Sequence, residues 1–184
     1  MGTTAFIIDI LLTGTLRRVL RPALFALGAC TLLACQQESS SMVSAAESSS
    51  AETPVLQVLK DPSCGCCEGW VTHVSERGFM AQISHPQDLN GEKLRLGIAP
   101  QYQSCHTAVS EEGYVFEGHI PANIITRFLA EKPANALGLA VPGMPLGSPG
   151  MEVGDQFRPY DVLQLNKDGS SSVYAHIATQ GEQY

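Results

Sequence analysis

With 184 residues, a net charge of −7 and 16% charged residues, the chain is acidic and, past its first residues, has no basic cluster, which excludes nucleic acid as a partner. Its length suits one domain with one core. Six cysteines beside a single tryptophan make sulfur the chemistry to follow.

Arg17, Arg18 and Arg21 precede an apolar run from Pro22 to Ala34 that ends Leu32-Leu33-Ala34-Cys35. A basic region, a short apolar core and a small residue before the cut describe a secretory signal too short to span a membrane permanently. The ending resembles a bacterial lipobox, which implies lipidation of Cys35; Gln36, in place of an aspartate, favours an outer-membrane anchor. Phe6 to Leu12 lies upstream of the arginines, fits no signal design, and points to an internal start codon. Residues 1–35 are therefore expected to be a lipoprotein-type signal segment and 36–54 a disordered Ser-rich tether, with 55–184 the folded domain. The tether would let that domain stand ~20–25 Å from its anchor. The expected location is the periplasm, lipid-anchored to the membrane.

Val55 to Leu59 is a short apolar run that reads as a buried strand. It leads into Asp61-Pro62-Ser63-Cys64-Gly65-Cys66-Cys67, three thiols within four residues at the start of a helix expected over Cys66 to Arg77, with Ser63 as N-cap and Gly78 as C-cap. Unpaired N–H groups and the helix dipole at such a terminus favour thiolate over thiol. Cys64 and Cys67 have the Cys-x-x-Cys spacing of thiol–disulfide exchange proteins. Cys66 intrudes between them: a third thiol would scramble that disulfide, but is an asset in a soft-metal site. Trp70 is expected as a lid beside the thiols and His73 as a polar helix-face residue.

Phe79 to Ser84 reads as a second strand and Leu89 to Ile98 as a second helix. A hairpin follows, from Gln103 to Val109 and from Gly113 to His119 around the Ser110–Gly113 turn; Asn123 to Glu131 is a third helix between prolines. The succession β-α-β-α-β-β-α gives an α/β, thioredoxin-like domain. Gly138 to Met151 is too rich in proline and glycine for regular structure and too apolar for a linker, so it must pack on the domain. Tyr160 to Leu165 and Ser172 to Ile177 form a closing hairpin.

In a thioredoxin-type fold the loop leading to Cys105-His106 faces the first β-to-α turn, which brings one or both to the three thiols. Because adjacent strand residues point to opposite faces, only one ligates unless the backbone bends; Cys105 is favoured, with His106 as a further ligand or an outer-shell group. Met144 and Met151 bracket the Pro/Gly loop with thioethers suited to Cu(I). His119, beside Gly118 and Pro121, is expected to serve its turn.

Four separated motifs carry a family resemblance: Lys60-Asp61-Pro62 with Cys64-Gly65-Cys66-Cys67 and Trp70; Ser104 to Ala108; Glu117 to Ala122; and Gly138 to Pro145 with Ser148 to Met151. Together they resemble the CopG-type periplasmic copper-resistance family, long catalogued as a domain of unknown function, across Val55 to Ile177. The resemblance implies a thioredoxin-like domain that binds several copper ions through the Cys-x-Cys-Cys group and interconverts Cu(I) and Cu(II). Cys64, Cys66, Cys67 and Cys105 carry over most securely. Gln103 departs from the hydrophobic residue usual in the family. The expected function is an envelope copper-binding protein of copper resistance, with other envelope copper-handling proteins as partners. The alternatives are a thiol–disulfide oxidoreductase using Cys64 and Cys67, and a structural Zn²⁺ site of Cys₃His type.

Overall fold

The structure, a computed structural model, describes residues 53–184. The signal segment, Cys35 and nearly all of the expected tether lie outside the described residues. The α/β class holds: among the described residues seven strands form one sheet with three α-helices. The strands are β1 (Val55–Lys60), β2 (Met80–Ser84), β3 (His106–Ser110), β4 (Val115–Glu117), β5 (Ala136–Ala140), β6 (Tyr160–Asn166) and β7 (Ser171–Ile177); the helices are α1 (Gly65–Ser75), α2 (Leu89–Arg95) and α3 (Ala122–Glu131). The expected β-α-β-α-β-β-α succession is present and three strands follow it.

The sheet order is β2-β1-β3-β4-β5-β6-β7. β1 runs parallel to β2 and antiparallel to β3, so the end of β1 and the start of β3 meet, with Lys60 opposite His106. That pairing brings the loop before α1 next to the segment before β3. Neighbouring residues of β4 point to opposite faces. Phe116 joins a large core with Trp70 and Val74 of α1 and Ile125 and Phe128 of α3, while Val115 joins a smaller core with Ile98, Ala140 and Leu165.

β5 corrects the sequence reading, which placed Gly138 in an irregular loop. Gly138 pairs with Val115 in a parallel ladder, beside a register shift towards β6. A Cβ there would lie 1.8 Å from the Val115 carbonyl oxygen, so the glycine marks a close backbone approach inside a strand rather than a break in it. The irregular loop begins after Val141 and is packed, as expected: Gly147, Ser148 and Pro149 are buried. Its carbonyls accept hydrogen bonds from three directions, Gly143 from the Ser104 hydroxyl, Gly147 from Gln183 Nε2 at 2.9 Å and Pro149 from His119.

Candidate metal centre

The turn before α1 is shaped by Asp61, whose carboxylate takes both the backbone N–H of Ser63 (2.7 Å) and its hydroxyl (2.5 Å). Ser63 is thereby spent on a local turn. The N-cap is Cys64, which makes no side-chain cap bond, a correction to the expected Ser63 cap. The helix also stops at Ser75, two residues before Arg77, and Gly78 follows with φ of +91°.

Cys64, Cys66, Cys67 and Cys105 present their sulfurs within 4.8 Å of one another. Within this group Cys64 and Cys67 are joined as a disulfide, and Cys66 and Cys105 are free. Cys66 Sγ lies 3.5 Å from Cys64 Sγ. Burial, and then the neighbouring Cys66, push the Cys105 thiol up to about 11.

Cys105 is shared with a second group, Cys105, His106 and His119, whose ligand atoms also lie within 4.8 Å of one another. The backbone bends at Cys105 and the β3 ladder begins at His106, so the pleat does not separate the two side chains. His106 Nδ1 is 3.3 Å from the Cys105 sulfur and His119 Nε2 is 3.0 Å from it.

His119 is the residue that sequence reasoning assigned to a turn. Its Nδ1 is 2.8 Å from the carbonyl of Pro149, an acceptor only, so Nδ1 carries the proton and Nε2 turns a lone pair toward Cys105. The signal was in the hairpin: Thr107 pairs with Glu117, and two steps outward the same register sets Cys105 against His119.

Burial holds both imidazoles below the ordinary histidine range, well below it for His106, which favours the neutral form that metal ligation requires. His106 is fully buried, and its Nε2 alone among the described buried side-chain N and O atoms has no hydrogen-bond partner. A buried ring with one nitrogen on a thiol and the other unpaired fits a metal-binding group better than a structural histidine.

Trp70 is fully buried. Its indole N–H donates to Ile120 O at 2.8 Å and its ring lies 4.4 Å from that of His106. His73 is buried too, its Nε2 accepting the N–H of Ala122 at 3.0 Å, which satisfies a donor at the start of α3. Met144 is 54% exposed and Met151 half-buried. Their loop meets the cysteine helix at Gly150, where a Cβ would lie 2.5 Å from both Cys66 O and Trp70 N.

Soft thiolates beside neutral imidazoles are a donor set for a soft or borderline metal ion. Residues 102–151 match the family described as "Protein of unknown function, DUF411". Among solved structures, "Copper resistance protein copG", Form 1, is 40% identical over 69% of this chain and 99% of its own, with a TM-score of 0.65. Form 2 matches at 40% identity over 68% of this chain and 99% of its own, with the same TM-score. Comparison with curated proteins finds no match.

Proposed function

The chain belongs to the family of copper resistance protein copG, and from that premise we propose that it binds copper as cargo, as Cu(I), in the cell envelope. What carries the reading is the convergence of four sulfurs from two distant stretches of chain, 64–67 and 105, on one small volume. The proposed ligands are Cys64, Cys66, Cys67 and Cys105, with His106, Met144 and Met151 completing the shell; His119, from its geometry, joins them. Copper in this site is held between thiolates, so several ions can share bridging sulfurs. The Cys64–Cys67 disulfide must gain two electrons, giving two thiolates, before either sulfur can ligate. Two Cu(I) ions give up that number of electrons on becoming Cu(II), so interconversion of the two states belongs to the same proposal.

Lipidation at Cys35 and an outer-membrane anchor complete it. Among the described residues no helix is long and apolar enough to cross a membrane.

The test is to reduce the protein anaerobically, titrate it with Cu(I) against a chromogenic chelator and measure bound copper. Tight binding that falls when Cys66 is changed to Ser supports the proposal; a protein that ignores Cu(I), or holds zinc alone, refutes it.

The Cys64–Cys67 disulfide favours a second reading, thiol–disulfide exchange. It predicts disulfide transfer to peptides and tolerance of Cys66→Ser, whereas the copper reading predicts that this substitution removes a bridging ligand.

A further inference from the structure

Lys93 and Glu117 form an ion pair, Nζ to Oε1 at 2.5 Å, in which the side chains are 1% and 0% exposed. Taking two charges out of water costs several kcal/mol for each ion, so such a pair is weak evidence of a stabilising role. Its other hydrogen bonds suggest what it is for. Glu117 Oε1 also accepts the backbone N–H of Ser104 at 2.5 Å, and Oε2 accepts the Thr107 hydroxyl. Lys93 Nζ donates in addition to Ser104 O at 2.6 Å. Every one of these further bonds falls on Ser104 or Thr107, the two residues that flank Cys105-His106.

The consequence is geometric. In a regular strand, neighbouring side chains diverge to opposite faces. Here the backbone of Ser104 is gripped at both its N–H and its C=O, Thr107 is gripped through its hydroxyl, and the chain bends between them at Cys105. Sulfur and imidazole then reach the same small volume. We propose that the buried Lys93–Glu117 pair is the positioning device of the metal centre, bending the Ser104–Thr107 segment so that Cys105 and His106 face the copper site together. This rests on the copper-binding reading above. Lys93 comes from α2 and Glu117 from the end of β4, so two elements outside the cysteine motif set the second half of the site. Both are positioning residues and neither is assigned as a ligand.

The test uses the full chain. Glu117→Gln alone leaves Lys93 buried and unpaired, so the informative variant is the double Lys93→Met/Glu117→Gln, which removes both charges at similar volume. Two quantities are read. The first is Cu(I) affinity of the reduced protein by chelator competition. The second is independent of copper: the rate at which diamide joins Cys66 to Cys105 in a Cys64→Ser/Cys67→Ser background, followed by peptide mapping, each bridge passing two electrons and two protons to the diazene. Leu165→Ala, in the smaller core, controls for general loss of stability.

The double variant is expected to fold cooperatively, bind Cu(I) about 10–100-fold more weakly and cross-link about tenfold or more slowly, with the control near wild type in both. An unchanged cross-linking rate, unchanged copper affinity, an equal loss in Leu165→Ala, or a double variant that does not fold would each overturn the inference. If wild type itself ignores Cu(I) while cross-linking still slows in the double variant, the copper reading fails and the positioning of Cys105 stands.

Discussion

Cys105 must lose a proton before it can hold a metal. With its thiol pushed up to about 11 by burial, it is protonated at neutral pH, and copper binding has to expel that proton. Cu(I) affinity is therefore expected to rise about tenfold per pH unit for this one ligand, and the proton released can be counted by calorimetry in buffers of different ionisation heat. His73 gives a second pH effect, in the opposite role. Burial, and then Arg77, lower it to about 4 from the ordinary 6.5. Between those values the unfolded chain takes up a proton that the native ring refuses, so its share of stability is complete above about pH 6.5 and is lost as pH falls toward 4. His73→Gln keeps an acceptor for the Ala122 N–H and does not titrate. Urea unfolding of the metal-free protein at pH 7.5 and 5 should show a loss about 2 kcal/mol smaller in that variant. At this scale, the convergence of Cys105 on Cys66 was legible from chain order, because a third strand beside the first returns its start to the end of β1. His119 was not, because a histidine between Gly118 and Pro121 reads as a turn residue until hairpin register is counted. Lys93 belonged to no motif, and Glu117 opened one without showing its partner; the reach of a lysine from one helix to a strand end is a tertiary fact.

Among the elements, the loop from Val141 onward does most to connect the two halves of the centre. Gly150 has φ of +85° and no room for a side chain against Cys66 and Trp70, while the neighbouring Pro149 carbonyl fixes the tautomer of His119. Gly150→Ala should force the loop off α1, costing about 1–3 kcal/mol of stability and weakening Cu(I) binding; unfolding and chelator competition on the same variant measure both. That this loop packs was visible in its apolar content, but the strand preceding it was not. Ala136 to Ala140 has no β-branched or aromatic residue, only Ala136, Gly138 and Ala140 alternating with two leucines, and its pairing is imposed by β4 and β6 rather than by local preference. The cap of α1 was misread for a related reason: Ser63 has the right chemistry, but Asp61 engages it first.

Over the whole molecule, one half of the site is local in sequence and the other is assembled by the fold. Copper should therefore bind native protein far better than unfolded chain, and raise its stability by about 4 kcal/mol at a free concentration a thousand times the dissociation constant. The reduced protein should show that rise in melting temperature. The oxidised protein should show less of it, since two of its four clustered sulfurs are bonded to each other. The proposed anchor is separable from all this: Cys35→Ser should move the protein from the membrane to the soluble fraction and leave copper stoichiometry unchanged, which fractionation and metal analysis would check.

The sole tryptophan sits against His106 with its indole nitrogen fixed to Ile120. Its emission therefore originates inside the centre and from nowhere else. Loading and release of copper should be readable as quenching and recovery of that native fluorescence, in real time and without a dye attached.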